Sequence, residues 1–322
     1  LFTRILNTRL DAWAENHSSV FKSKAISYPL DRNEPATAQC LVDWKGSEPV
    51  VSYQVLPAGV ESYFAAWSEL IAGVEELKSK NFTESLYYVE AFIRYGCFGV
   101  MVKSELKEEE KKILYRFAVE FESTYTRFLD LQNAEKQARE AQIEAALERV
   151  RSRSMAMHKS DELLDVISVV SEQLLQLDFK FIHVSFANND ISQDYKFWTA
   201  SKGMSKPMRF NTPYLDITMF NNLRAAQKKS VSFYTDILTR DEHIQWHKHL
   251  LKHGGSDVFS KAENEFIMSR GMARSIAINP NIILILANYA SIPYSEEDNK
   301  IIERFGQVFE QSYTRFLDLQ KA

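Results

Sequence analysis

The chain has 322 residues, of which 45% are hydrophobic and 12% aromatic, and this composition is typical of packed globular protein. That length favours two domains of ~100–200 residues each. The net charge of −4 gives no electrostatic reason to expect a nucleic acid or an anionic membrane as a partner. The two cysteines form neither a disulfide framework nor a CxxC metal motif.

No signal peptide is recognisable, and no apolar run approaches the ~18 residues that span a bilayer. We therefore expect a cytoplasmic segment without a membrane span. Because the chain starts without Met and ends inside a helical pattern, we interpret it as part of a longer protein.

The first hundred or so residues alternate between strand and helix patterns. In chain order they predict strands at 10–13, 21–31 and 49–55, helices at 37–44 and 59–80, and a hairpin of 85–93 with 97–103. Arg94, Tyr95 and Gly96 form the turn of that hairpin. Strands and helices in this mixture predict an α+β domain with an antiparallel sheet.

The second half of the chain repeats the first. FESTYTRFLDLQ at 121–132 recurs as FEQSYTRFLDLQ at 309–320, with ten of twelve residues identical. The strand at 10–13 corresponds to the one at 195–198, and the hairpin to ARSIAIN and NIILILANYA around Asn279. An internal repeat of this kind predicts two copies of one domain fold.

A long helical stretch runs from Glu108 to Leu177 without a Pro or a Gly. Most of its residues are good helix formers, and its length suggests a coiled coil. Its first apolar seam steps by three and four residues, so it occupies one face. We expect this seam to pack on its own domain; it consists of Leu114, Phe117, Phe121, Thr124, Phe128 and Leu131.

A second seam follows in the same stretch, after a run of spaced alanines that would let another helix approach closely. No domain is obviously available to cover it, so we predict that this part pairs with a second copy of the chain in a homodimer. The predicted dimer helix uses Ala138, Ala141, Ala145, Ile143, Leu147 and Val150.

The residues YTRFLDLQNAEKQAREAQIEAALERVRSRSMAMHKSDEL at 125–163, together with the aromatic strands before them, resemble tandem GAF-like sensor domains of bacterial signalling proteins. The resemblance implies an antiparallel sheet of about six strands between helices in each copy. It divides the chain into a GAF-like domain at 1–132, a signalling helix at 133–160 and a second GAF-like domain at 161–322. The predicted fold class is thus α+β, with the two domains joined by a long continuous helix.

The same resemblance implies a role in signal transduction. Segments of this kind join sensory domains in proteins of the histidine kinase and adenylate or guanylate cyclase types. We expect a non-catalytic sensory or regulatory segment that passes a signal through a dimeric helix to an output domain beyond residue 322. The alternative is a degenerate GAF-like spacer that binds no ligand and only sets the geometry of a dimer.

Aromatic residues of the strands are the candidates for a ligand pocket, although core packing would explain them equally. The predicted pocket set is Trp198, Phe197, Arg209, Tyr214, Phe233, Trp13 and Tyr53. The sequence names neither the ligand nor the signal.

His243 and His247 are spaced to share a helix face, where such a pair can bind zinc. No cysteine or carboxylate accompanies them at metal-ligand spacing, so we expect packing or exposed histidines there. Catalytic signatures such as a P-loop or HExxH do not occur. We therefore predict neither an enzyme nor a cofactor.

Overall fold

The computed structural model describes residues 2–5, 9–14, 24–29, 35–56, 85–192, 194–201, 206–254 and 260–321. The chain divides into two compact units, Leu1–Glu135 and Lys136–Ala322. The helix predicted at 59–80 lies outside the described residues. No helix in the described ranges combines the length and the apolar character that crossing a bilayer requires.

Unit one contains a six-stranded antiparallel sheet with the order β3-β2-β1-β6-β5-β4. Its elements are β1 (Phe2–Ile5), β2 (Arg9–Ala14), β3 (Lys24–Pro29), helix α1 (Pro35–Trp44), β4 (Val50–Val55), β5 (Leu86–Ile93), β6 (Gly96–Val102) and the first half of helix α2 (Glu108–Met155). The predicted hairpin is confirmed, since β5 and β6 pair around the turn at Arg94 and Tyr95.

Unit two contains a second six-stranded antiparallel sheet with the order β10-β11-β12-β7-β8-β9. After the end of α2 and a short 3-10 turn (Ser160–Glu162), its elements are α3 (Leu163–Gln176), β7 (His183–Asn188), β8 (Tyr195–Ser201), β9 (Met208–Thr212), α4 (Thr218–Lys228), β10 (Phe233–Leu238), α5 (Arg240–Gly254), α6 (Lys261–Met268), β11 (Met272–Ile278), β12 (Ile282–Asn288) and α7 (Glu296–Lys321). The α+β class with antiparallel sheets is confirmed.

The two sheets have the same topology when β7 to β12 are matched to β1 to β6. The register agrees as well. Ala91 pairs with Phe98 on one side and Val50 on the other, and Ala277 pairs in the same way with Leu284 and Phe233. The sequence repeat is therefore a repeat of strand order and strand pairing.

The long helical stretch does not run unbroken to Leu177. Helix α2 ends at Met155, and the Glu162 carboxylate then accepts hydrogen bonds from the backbone N–H of His158 and Lys159. After this turn α3 runs back antiparallel along the second half of α2. The reversal follows from two contacts, Arg139 with the Leu177 carbonyl at 2.9 Å and Arg153 with Asp165 at 2.5 Å.

This helical hairpin covers the second apolar seam, so the placement of that seam against another chain was wrong. Ile143, Leu147 and Val150 are at most 4% exposed and belong to the core of unit two. They pack in one cluster with residues of α3, α7 and the sheet. The three alanines of the predicted dimer helix, Ala138, Ala141 and Ala145, are exposed.

The first seam is only partly covered, contrary to prediction. Leu114 and Ala118 are buried against the sheet, but Phe117, Phe128 and Leu131 are 65%, 49% and 59% exposed. The helix is rotated relative to the predicted face. Leu114 and Phe121 of the predicted seam do pack toward the sheet, and Ala118 and Tyr125 complete this face in place of the exposed members of the seam.

The sheet of unit two has an apolar core on each face. Alternate residues of a strand point to opposite sides, so on β8 Trp198 packs with α3 and α7, whereas Phe197 packs with α4 and α5. On β7 Phe186 stacks on Phe309 of α7, with ring centroids 3.9 Å apart. The face turned toward α4 and α5 is the one that holds a cavity.

Candidate ligand-binding cavity

A cavity of about 220 Å³ lies in unit two between the sheet and helices α5 and α6. Strands β7, β8, β11 and β12 form its floor. Its lining is largely apolar and aromatic, with a few polar groups, as is typical of small-molecule sites. The lining includes Phe197, Phe210, Trp246, Phe266, Ile267, Met272, Ile285, Tyr289, His183, Ser185, Thr199, His247 and Arg274.

Two hydroxyl groups lie side by side on the floor. Ser185 and Thr199 face each other across the β7–β8 pair, and their oxygens are 2.8 Å apart. Both side chains are nearly fully buried. One hydroxyl donates to the other, which leaves the second proton for another acceptor.

A buried ion pair forms the most polar part of the wall. Arg274 donates from Nε to Oδ1 of Asp236 at 2.8 Å and from Nη2 to Oδ2 at 2.5 Å. The Arg274 side chain is 1% exposed, and its Nη1 makes no hydrogen bond in the described part of the chain; the buried Tyr234 hydroxyl interacts with this guanidinium and also lacks a hydrogen-bond partner there. A buried donor without an acceptor is unfavourable, so this nitrogen is suited to bind an oxygen atom of a ligand.

Three histidines near the cavity are neutral. Burial, together with the nearby positive charges, lowers the pKa of His183 to about 3. Burial also lowers the pKa of His243 and of His247. His183 keeps some accessible surface although it lies deep in the molecule, because it borders the cavity. The cavity therefore offers neutral imidazoles, an ion-paired guanidinium and, on α6, the exposed carboxylate of Glu263, which accepts a hydrogen bond from the Ser260 backbone.

Of the predicted pocket residues, Phe197 lies in the cavity wall. Trp198 and Phe233 lie on the other face of the sheet, in or against the core formed with α3 and α7. Assigning Trp198 to the pocket was wrong because neighbouring residues of one strand cannot face the same side. The sequence shows the aromatic run but not which member of it faces the cavity.

Arg209 and Tyr214 are also occupied elsewhere. The Arg209 guanidinium lies 5.7 Å from the ring centre of Trp198 and 3.5 Å from the Asp161 carboxylate. Tyr214 packs beside Phe220 and carries the guanidinium of Arg224 over its ring at 3.4 Å. Neither residue borders the cavity, so both pocket assignments are corrected.

The other two pocket candidates, Tyr53 and Trp13, belong to unit one. The Tyr53 hydroxyl is half-buried and donates to the Asp43 carboxylate. Trp13 belongs to β2, but its side chain lies outside the described residues.

His243 and His247 each bind a protein acceptor. His243 Nδ1 donates to the Arg270 carbonyl at 2.8 Å, and His247 Nε2 lies 2.7 Å from the Asn264 Oδ1. Both side chains are buried, which agrees with the packing interpretation rather than the exposed one. Within the described ranges, the three groups close enough to share a metal ion are Cys40, Glu90 and Cys97 of unit one.

Comparisons with known proteins name no family. A scan of the chain against protein-family models gives no match, and a search of curated proteins gives none either. The function is therefore inferred from the repeat, the cavity and the long helices.

Proposed function

We propose that this chain is a non-catalytic sensory segment of a bacterial signal-transduction protein, built from two GAF-like domains, with a small-molecule site in unit two. The unpartnered Nη1 of Arg274, a residue that lines a partly open cavity, carries this proposal. The two six-stranded antiparallel sheets and the repeat support the GAF-like part, since the resemblance implies such sheets.

The cavity limits the size of the ligand. A volume of about 220 Å³ equals roughly seven water volumes of ~30 Å³ each. It is smaller than the ~300–1,000 Å³ typical of sites for drug-sized molecules. A single-ring compound fits this volume and would contact the aromatic wall.

The charges limit the chemistry of the ligand. Asp236 already neutralises Arg274, the neighbouring histidines are neutral, and Glu263 adds a negative charge to the lining. A carboxylate ligand would be repelled by Asp236, whereas a carbonyl or amide oxygen would accept from Arg274 without adding charge. We therefore expect an uncharged ring compound that carries a hydrogen-bond acceptor.

The strands under the cavity also contact the long helices. Phe197 borders the cavity, and its neighbour Trp198 packs into the core formed with α3 and α7. In the same way Ile285 faces the cavity and Leu286 faces the helices. In the proposal a ligand favours one packing of these strands, and the helices pass that change to an output domain of the kinase or cyclase type.

The proposed homodimer now depends on the exposed half of α2. Ile113, Phe117 and Phe128 are 52%, 65% and 49% exposed. The identical residues of the second copy are Ile301, Phe305 and Phe316 of α7. They are at most 8% exposed and pack in one core with residues of α2, α3 and the sheet. We propose that helices of a second copy cover this face of unit one.

The ligand part is tested with benzamide as a neutral probe and benzoate as its charged analogue. We expect ligand-observed NMR and a thermal shift to report benzamide binding, with weaker binding of benzoate. Thr199→Met should fill the cavity and abolish the signal. Trp198→Phe, on the other face of the same strand, is the control that should retain it. If Thr199→Met still binds benzamide, the ligand does not occupy this cavity. If neither the probes nor native mass spectrometry detects a bound ligand, the result favours the spacer alternative.

The dimer part is tested with Phe117→Ala and Phe305→Ala, which change the same residue in the two copies. Phe117→Ala should weaken self-association in sedimentation velocity and leave the stability of the units nearly unchanged. Phe305→Ala should destabilise unit two by about 3–5 kcal/mol, because it opens a cavity in a core. A wild-type chain that stays monomeric at high concentration contradicts the dimer.

A further inference from the structure

Glu90 is a buried carboxylate in the middle of a sheet. It lies on β5, where it is 4% exposed, and burial raises the pKa of its carboxyl group. An ionised carboxylate is costly to bury unless a positive charge or several hydrogen bonds compensate it. Glu90 interacts with Tyr88 and with the thiols of Cys40 and Cys97, but no positive charge accompanies it among the causes of its pKa shift.

Both cysteines of the chain meet at this carboxylate. Cys97 on β6 donates from Sγ to Oε1 of Glu90 at 3.0 Å, and Cys40 Sγ on α1 lies 3.9 Å from the same oxygen. The ligand atoms of all three residues lie within 4.8 Å of one another. They come from three different elements, so the fold itself brings them together.

The repeat shows that this fold does not need polar groups here. The ladder pairs of Ala91 match those of Ala277, so Glu90 corresponds to Ile276 and Cys97 to Ile283. Cys40 lies as many residues before the start of β4 as Leu223 lies before the start of β10, so Cys40 corresponds to Leu223.

Leu223, Ile276 and Ile283 belong to one apolar cluster in unit two. Unit one thus has two thiols and a carboxylate where the other copy has three packed aliphatic side chains. Chance placement of the chain's two cysteines and a buried glutamate at three contacting positions is a poor explanation for this difference.

We propose that Cys40, Glu90 and Cys97 bind a divalent metal ion of the zinc type. Thiolate and carboxylate ligands suit Zn²⁺, with Zn–S distances of about 2.3 Å and Zn–O distances of about 2.0–2.2 Å. Two sulfurs on a tetrahedral ion then lie about 3.7 Å apart, which the 4.8 Å limit of this cluster accommodates.

The ion compensates the buried charge. Binding replaces the two thiol protons and any proton on Glu90, and these protons are released to solvent. The three protein ligands leave one tetrahedral position for a water molecule. Asp43, which lies further along α1 and accepts a hydrogen bond from the Tyr53 hydroxyl, lies near the Glu90 carboxylate.

The test uses Co²⁺ as a spectroscopic probe on the full chain, reduced and freed of metal. We expect one equivalent of Co²⁺ to produce a near-ultraviolet thiolate-to-cobalt charge-transfer band, which Zn²⁺ then abolishes by displacement. Cys40→Ser and Cys97→Ser should each lose most of the band, and Glu90→Gln should weaken Co²⁺ binding about tenfold or more.

The paired variant His243→Ala/His247→Ala is the matched control and should bind Co²⁺ like the wild type. Far-ultraviolet circular dichroism checks that the cysteine variants fold, and Cys40→Ala with Cys97→Ala repeats the test without a new hydroxyl. A wild-type chain that gives no charge-transfer band overturns the proposal. So does a band that survives both cysteine substitutions.

Discussion

The ion pair between Arg274 and Asp236 should be essential for the stability of unit two, and Asp236→Asn tests this. The two side chains are only 1% and 11% exposed, so their interaction is poorly screened by water. At a separation of about 3 Å and an effective dielectric of about 20, the pair contributes about 5 kcal/mol of Coulomb attraction. Asparagine keeps the shape but leaves the guanidinium without a counter-charge.

The expected loss is about 3–5 kcal/mol of unfolding free energy, which is the range for a buried pair broken on one side. Asn222 and the Met219 carbonyl also bind this pair, but neither supplies a negative charge. Hydrogen exchange of peptides from β11 and β12, measured along a urea series, reports unit two separately from unit one.

The matched control removes both charges. Asp236→Leu with Arg274→Met leaves no buried charge, so it should be clearly more stable than Asp236→Asn alone and close to the wild type. The reasoning is refuted if Asp236→Asn loses less than about 1 kcal/mol, or if the double variant is the less stable of the two.

Three further changes test other parts of the structure. Leu147→Ala should cost unit two about 2–5 kcal/mol by cavity formation without changing the oligomeric state, whereas Leu131→Ala, at an exposed position of unit one, should change the stability of unit one by less than about 0.5 kcal/mol; loss of a dimer in Leu147→Ala would contradict the burial of Leu147. Folding lowers the pKa of His183 to about 3, so the stability that its neutral form contributes is complete above pH ~6.5 and is lost as the pH falls toward 3, by up to about 1.4 kcal/mol per pH unit. Urea titrations at a series of pH values should therefore show that the unfolding free energy of His183→Gln falls less steeply with decreasing pH than that of the wild type. An equally steep fall in the variant would contradict the lowered pKa of His183. Gly99→Ala places a Cβ 2.5 Å from the Tyr88 hydroxyl oxygen, so thermal melting should show unit one destabilised by about 1–3 kcal/mol, and an unchanged melting curve would show that Tyr88 can move.

The succession of most strands along each unit, and the hairpin, were the parts most open to prediction. Short runs with period-two patterning and a recognisable turn at Arg94 and Tyr95 define local hairpins. The repeat then transfers each assignment from one copy to the other. These signals are local in sequence, or depend on comparing two stretches of the same chain, so no knowledge of packing is needed.

The faces of the long helix were not predictable in this way. A seam with steps of three and four shows that a face is apolar, but not which element covers it. The Ile143 seam is covered by α3, because the chain turns back after Met155, and by α7, far along the sequence. The turn contains neither Pro nor Gly and is stabilised by Glu162, so nothing in the helix propensities indicates it.

The cavity and the thiol cluster were missed for a related reason. Ser185, Thr199 and Arg274 are unremarkable in sequence and gain meaning only when three strands place them at one wall. Cys40 and Cys97 lie far apart and match no short metal motif. The repeat could have indicated the thiol cluster, since its polar residues in unit one correspond to aliphatic residues in unit two.

The two candidate binding features lie on the same side of their sheets. In unit two the cavity is on the α4 and α5 face, and α3 and α7 pack on the opposite face. In unit one Glu90 is on the face of β5 turned toward α1, whereas its neighbours Val89 and Ala91 pack with Leu114 and Ala118 of α2. A ligand in the proposed cavity site, or an ion at the proposed thiol site, would therefore contact the same strands as a long helix on the other face, at adjacent residues. Because a packed sheet passes on a change in one strand's position rather than absorbing it, this arrangement is the one that the proposed coupling of binding to the helices requires.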